Sequence, residues 1–127
     1  MLRGGLSQTT ERWESSLTAA DPLTGEVKKS VTQKYPNYAG TLATAGGLVF
    51  TALLDGSVLA YDDTSLDELW KINVGSGFSA PPMTFEADGK QYVAIVSGPS
   101  PVSRSRLANT PELKEQRNAL VLYVFGL

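Results

Sequence analysis

Short runs of alternating or wholly apolar residues, separated by turn residues, account for most of this chain. From Gly47 onward, Leu48-Val49-Phe50-Thr51-Ala52-Leu53 is β-branched and aromatic, Leu54-Asp55-Gly56-Ser57 carries turn chemistry, and Val58-Leu59-Ala60-Tyr61 resumes the apolar pattern. Two such runs about an Asp-Gly turn predict a β-hairpin, because glycine after aspartate admits the positive φ values of tight hairpin loops. The pattern recurs where Pro82-Met83-Thr84-Phe85 leads through Ala87-Asp88-Gly89-Lys90 into Gln91-Tyr92-Val93-Ala94-Ile95-Val96-Ser97, predicting a second hairpin. Leu69-Trp70-Lys71-Ile72-Asn73-Val74 reads as a further short strand. Ala119-Leu120-Val121-Leu122-Tyr123-Val124-Phe125 reads as a strand buried on both faces, since it is apolar without alternation.

One segment reads as helix. Thr110-Pro111-Glu112-Leu113-Lys114-Glu115-Gln116-Arg117 offers Thr as N-cap, Pro at the first helical position and Glu at the positive dipole end, which predicts two turns. The stretch before it, Gly98-Pro99-Ser100-Pro101-Val102-Ser103-Arg104-Ser105-Arg106, is Pro- and Ser-rich and reads as loop, so residues 99–118 form a loop plus short helix.

The chain also repeats itself. Ser16-Leu17-Thr18-Ala19-Ala20-Asp21 aligns without a gap on Ser57-Val58-Leu59-Ala60-Tyr61-Asp62, a period of 41 from Asp21 to Asp62, and each copy is followed by a turn and a short strand. A repeat of ~40 residues built of short strands has the length of one four-stranded propeller blade. The fold class expected is therefore all-β, a partial β-propeller of about three blades with one short helix toward the C-terminus. A closed propeller needs roughly four to eight blades, so 127 residues cannot close the ring, and the open sheets require covering by another stretch of protein.

Composition narrows the chemistry. With 42% hydrophobic and 19% charged residues the chain is an ordinary globular one, and its net charge of −2 gives no electrostatic footprint for nucleic acid or an anionic membrane. It contains no Cys and no His, which excludes thiolate nucleophiles, imidazole bases and the usual zinc ligands from its own residues. Zero Cys suits an oxidising and a reducing compartment equally. No apolar run approaches the ~20 residues of a membrane-spanning helix, and Met1-Leu2-Arg3-Gly4-Gly5 lacks the apolar core of a signal peptide.

Gly40-Thr41-Leu42-Ala43-Thr44-Ala45-Gly46-Gly47-Leu48-Val49-Phe50-Thr51, Ala60-Tyr61-Asp62, Leu69-Trp70, Gly75-Ser76-Gly77, Ala80-Pro81-Pro82-Met83-Thr84 and Gly89-Lys90-Gln91-Tyr92-Val93-Ala94, in this order and spacing, resemble the last blades of pyrroloquinoline quinone-dependent alcohol dehydrogenases. The resemblance runs from about Leu17 to Gly98. It implies that residues 1–127 are C-terminal blades of an eight-bladed quinoprotein propeller. It further implies a periplasmic enzyme oxidising primary alcohols with the quinone and a Ca²⁺ or lanthanide ion, upstream blades of the same enzyme as partners, and an external electron acceptor. The family's catalytic base and metal ligands belong to upstream blades, so no catalytic and no metal-binding residue is assigned here. A non-catalytic blade-repeat scaffold that binds protein partners is the alternative.

Many members of that family place a Trp before Gly-Gly-Thr near the quinone ring, and here Asn37-Tyr38-Ala39-Gly40-Thr41 occupies that stretch. The resemblance implies Tyr38 and Ala39 as cofactor-contact residues, Tyr38 keeping a flat π-face and adding a hydroxyl. The family's Gly-rich stretch with Trp after the Tyr-Val-Ala strand is replaced by Pro99-Ser100-Pro101-Val102. Nine of the thirteen carboxylates have a structural reading: Asp55 and Asp88 in hairpin turns, Asp21, Asp62 and Asp63 at strand ends, Glu26 and Glu68 solvated, Glu112 and Glu115 on the helix. Trp70 is expected to pack, buried, against the next blade, with Lys28 at the matching place in the first repeat. Gly46-Gly47 and Gly75-Ser76-Gly77 read as turns, because strands and not helices follow them. Arg104 and Arg106 read as solvated, and Trp13 as an aromatic without a motif.

Overall fold

A computed structural model of the chain describes residues 14–98, 110–113, 116 and 119–126. Its strands are β1 (Ser15–Ala20), β2 (Val27–Gln33), β3 (Thr41–Ala43), β4 (Leu48–Ala52), β5 (Ser57–Asp62), β6 (Glu68–Asn73), β7 (Met83–Ala87), β8 (Lys90–Val96) and β9 (Leu122–Gly126). They form three antiparallel sheets in the orders β1-β2, β3-β4-β5-β6 and β7-β8-β9. The middle sheet is a complete four-stranded meander, the unit of a propeller blade, and the others are partial blades on either side. Both predicted hairpins form, as β4-β5 and β7-β8. In the second, Ala87 pairs with Lys90 across Asp88 and Gly89, at φ 52° and 71°, the left-handed pair of a two-residue I′ loop.

The repeat of 41 is a structural repeat. Strand β1 stands to β5 as β2 stands to β6, and both pairs carry a register irregularity at the matching step, Ala19/Ala20 and Ala60/Tyr61. Both turns are built on the same aspartate. The Leu23 and Thr24 amides donate to Asp21 Oδ1 at 2.8 and 3.1 Å, and those of Thr64 and Ser65 to Asp62 Oδ1 at 2.9 and 2.8 Å. Each turn then needs a positive φ at one position, Gly25 (74°) in one copy and Leu66 (55°) in the other. Register pairs Ala19 with Lys29 and Ala60 with Trp70, so the counterpart of Trp70 is Lys29 rather than Lys28.

Cores lie between sheets. One face of the middle blade carries Leu53, Leu59 and Tyr61, packed against Leu17, Val31 and Tyr35 of the first sheet and its exit. The other carries Phe50, Ala52, Val58 and Ala60, which meet Phe78, Val93 and Ile95. The blades therefore stack face to face. Opposite faces of one sheet are both apolar because each covers a different neighbour.

Three further expectations are corrected. The helix is a 3₁₀ turn, Pro111–Leu113, in which the Leu113 amide donates to the Thr110 carbonyl at 2.9 Å, and the next described amide, Gln116, again donates three residues back, to Leu113 at 3.1 Å. The tighter bond brings Leu113 into a buried position. Strand β9 is not buried on both faces: it is an edge strand, and Leu122 and Val124 are 61% and 48% exposed. Directly opposed residues share a face, so Met83, Phe85, Tyr92, Leu122 and Val124 lie on the side of this sheet turned away from the middle blade, and no described residue covers it. Trp70 meets Phe125 edge to face, centroids 5.4 Å apart, as the docking role requires, but is 40% exposed because β6 is also an edge. Trp13, Arg104, Arg106, Glu115 and most of the 99–118 segment lie outside the described residues.

Candidate functional site

The antiparallel order gathers one set of connections at one end of the stacked sheets: the exit of β2, the entry of β3, the β4-β5 turn, the exit of β6, the entry of β7, the exit of β8 and the entry of β9. The loop from Lys34 to Gly40 carries both sequence-assigned contact residues. Pro36 anchors it, its carbonyl accepting from the Leu54 amide at 3.0 Å.

Tyr38 and Ala39 take opposite directions. Ala39 is 1% exposed, its methyl group in a cluster with Ala52, Val58, Phe78 and Ile95. Tyr38 is 37% exposed, and its hydroxyl makes no hydrogen bond among the described residues. One residue is thus the anchor of the loop and the other its open aromatic face. The Ala39 methyl group fills core space.

Sequence reasoning passed over the polar groups beneath this loop. Asn37 donates from Nδ2 to Thr51 Oγ1 at 2.7 Å and to Gln33 Oε1 at 3.2 Å, and its Oδ1 accepts from the Ala39 amide at 3.2 Å. Thr51 Oγ1 donates to the Gly40 carbonyl at 2.6 Å, and Gln33 Nε2 donates to the Tyr61 hydroxyl at 3.3 Å. Gln33, Thr51 and Tyr61 are buried. Asn-x-Ala two residues before a strand is compatible with an Asx turn, but a strand-end Gln and a mid-strand Thr give no signal in sequence of facing an asparagine.

At the same end, Ser76 and Ser97 clamp the chain before β9. Ser97 Oγ donates to the Ala119 carbonyl at 2.7 Å and accepts from the Val121 amide at 3.2 Å, while Ser76 Oγ donates to the Ala119 carbonyl at 2.9 Å and accepts from its amide at 3.0 Å. The Gly75-Ser76 stretch is the turn expected of it, with Gly75 at φ 75° and its amide donated to Asn73 Oδ1 at 2.8 Å.

Carboxylates do structural work. Asp55 accepts from the Ser57 amide and hydroxyl at 3.0 and 2.7 Å, holding the β4-β5 turn. The Leu23 and Thr24 amides hold the Asp21 carboxyl below the usual aspartate range, and Lys28 assists at 3.4 Å. The Ser65 and Thr64 amides do the same to Asp62. Among the described residues no three acidic side chains converge to hold a metal ion.

A second opening, an apolar cleft of about 500 Å³, lies between the middle blade and the free edge of β9, lined by Leu48, Phe50, Leu69, Trp70, Val124 and Phe125 among others. Among the described residues that line it, none is titratable.

Residues 5–93 match the PQQ family described as glucose/ethanol/alcohol dehydrogenase, beta-propeller domain. The chain is 48% identical over 83 residues to a quinoprotein ethanol dehydrogenase of Pseudomonas aeruginosa, a match covering 65% of this chain and 13% of that protein. It is 42% identical over 95 residues to methanol dehydrogenase [cytochrome c] subunit 1 of Paracoccus denitrificans, covering 74% and 15%. Among solved structures, a quinohemoprotein alcohol dehydrogenase of Pseudomonas putida superposes with a TM-score of 0.64 at 38% identity, over 69% of this chain and 13% of that one. A europium-containing methanol dehydrogenase superposes at 0.73 and 30% identity, over 88% and 23%. The chain spans less than a quarter of the length of each of these proteins.

Proposed function

Because the chain belongs to the glucose/ethanol/alcohol dehydrogenase β-propeller family, we propose that it supplies the C-terminal blades of a periplasmic pyrroloquinoline quinone-dependent enzyme that oxidises primary alcohols. Its part there is to complete the ring and to offer Tyr38 to the quinone. The observation that carries this reading is the far face of the β7-β8-β9 sheet, where Met83, Phe85, Leu122 and Val124 stand exposed side by side. Within this chain such faces are covered by the next blade. Upstream blades of the same enzyme are the cover this reading supplies, and the cleft beside β9 is further apolar surface for them to bury.

Tyr38 suits a planar quinone. Its ring is accessible at the end of the sheets where loops converge, and its hydroxyl is uncommitted among the described residues. Ala39 can contribute only its backbone carbonyl, since its methyl group is in the core and its amide is bound to Asn37. When bound, the quinone supplies the two-electron acceptor that no side chain provides. The base and the Ca²⁺ or lanthanide ligands come, in this reading, from upstream blades.

Titration of the quinone against this chain assembled with upstream blades tests the proposal. Saturable quenching of tryptophan and tyrosine fluorescence is expected, weakened several-fold by Tyr38→Ala. An assembled protein that shows no saturable quenching overturns the enzyme reading and leaves a scaffold.

A further inference from the structure

Tyr38 has no side-chain hydrogen bond of its own among the described residues, so the loop backbone fixes the point from which its ring projects. That backbone is held at two points beyond the ring. The Ala39 amide, which belongs to the Tyr38–Ala39 peptide plane, donates to Asn37 Oδ1 at 3.2 Å, and the Gly40 carbonyl accepts from Thr51 Oγ1 at 2.6 Å. The two clamps are one network. Thr51 has a single hydroxyl proton, and it is committed to Gly40. Its oxygen must therefore accept from Asn37 Nδ2 at 2.7 Å, which fixes which end of the Asn37 amide faces Thr51 and which faces Ala39.

The same Asn37 nitrogen donates to Gln33 Oε1 at 3.2 Å. Gln33 lies at the end of β2, shares the Ser15 Oγ proton of β1 (3.0 Å) with the Tyr35 carbonyl (2.8 Å), and donates to Tyr61 on β5. Asn37 thus couples the last strand of one blade to the core of the next and to the loop between them. Gln33 and Thr51 are buried, where a hydrogen bond lost is not replaced by water. Both protons of Asn37 Nδ2 and its Oδ1 are committed, so the carboxamide has one orientation that satisfies Thr51, Gln33 and Ala39 together.

We propose that Asn37 is a positioning residue, whose carboxamide holds the Tyr38 ring outward in a fixed orientation to stack on a flat aromatic ligand. The choice of ligand rests on the quinone reading given above. The network uses both ends of the amide, so neither Asp nor Ala can replace it: Asp sets an acceptor against Thr51 and Gln33, and Ala loses the Ala39 clamp and the bond that ties it to Thr51.

The test is amide hydrogen exchange and backbone relaxation on the full 127-residue chain. In Asn37→Ala the Ala39 amide is expected to exchange on the order of tenfold faster, and the Tyr38 order parameter to fall from about 0.85 to below about 0.6, with the Phe50 and Leu59 amides of β4 and β5 unchanged within about twofold. Thr51→Val, close to isosteric, removes the second clamp and is expected to loosen Tyr38 in the same direction, which keeps the test open should Asn37→Ala fail to fold. Unchanged Ala39 exchange in both variants overturns the proposal. So does acceleration spread equally over β4 and β5, which would mean general loss of stability. Tyr38→Ala separates the two readings: it leaves Ala39 exchange as it was, and only the quinone titration responds to it. A loop that is clamped but indifferent to quinone refutes the ligand and spares the positioning role.

Discussion

Replacing Gly56 by alanine is expected to cost about 3–5 kcal/mol, and the structure divides that cost into parts that can be measured separately. Gly56 has φ +92°, where an L side chain is strained by about 1–2 kcal/mol. A Cβ there would lie 2.8 Å from the Ser76 nitrogen, 3.0 Å from the Gly75 nitrogen and 3.2 Å from the Ser76 carbonyl oxygen. These are backbone atoms and cannot rotate away, so the Gly75-Ser76 segment must shift, at about 1–3 kcal/mol by analogy with overpacked cores. The shift loads the Val74 amide bond to the Gly56 carbonyl (3.0 Å) and the Ser76 bonds to Ala119, each worth about 0.5–1.5 kcal/mol. Gly89→Ala is the control: its φ is +71° but no atom lies within 4 Å, so only the strain of about 1 kcal/mol applies. Urea denaturation followed by tryptophan fluorescence measures both. If the two variants differ by less than about 1 kcal/mol, the close approach of the β4-β5 turn to the β6 exit is not what requires glycine at position 56.

Trp70→Ala is expected to cost about 2 kcal/mol in the same assay, below the 3–5 kcal/mol of a fully buried indole, because 40% of the residue is already in water and the Phe125 edge contact adds about 1 kcal/mol. The Asp62 carboxyl is held below its usual pKa of 3.8 by the Ser65 and Thr64 amides, so its contribution to stability is complete above that value and is lost as pH falls through the lower folded one. Carbon-13 titration should place its midpoint below 3.8, and Asp62→Ala should flatten the acid limb of the stability profile. Leu122→Lys, on the open face of β9, is expected to change the stability of the isolated chain by no more than about 0.5 kcal/mol and to abolish its association with upstream blades, read by analytical ultracentrifugation.

What could be read in the sequence was what depends on neighbours close along the chain. The Asp88-Gly89 hairpin and the Asp21/Asp62 turns are local chemistry, so the strands of the two hairpins and the 41-residue repeat emerged with their boundaries nearly in place, whereas β2 and β3 were not delimited. Environment along the strands was less accessible. An apolar run does not say whether its strand is central or at an edge, so Leu122-Tyr123-Val124-Phe125 looked wholly buried and Trp70 fully packed, although both strands lie at sheet margins here. Thr110-Pro111-Glu112 had the residues of a helix start, but these choose the cap and not whether successive bonds run to the fourth or the third residue. At the loop, family likeness located Tyr38. The partners of Asn37 come from β2 and β4, four and fourteen residues distant, and only the fold reveals that they converge.

The most direct measurement is a graft. The 83-residue stretch of this chain that matches the Pseudomonas aeruginosa quinoprotein ethanol dehydrogenase, put in place of its counterpart in that enzyme, would be assayed for ethanol oxidation with added pyrroloquinoline quinone and Ca²⁺, beside the 127-residue chain alone. The account predicts that the grafted enzyme turns over ethanol, that Tyr38→Ala within it weakens quinone binding, and that the isolated chain is inactive. An isolated chain that oxidises ethanol, or a graft that folds and binds quinone identically with and without the Tyr38 ring, would contradict it.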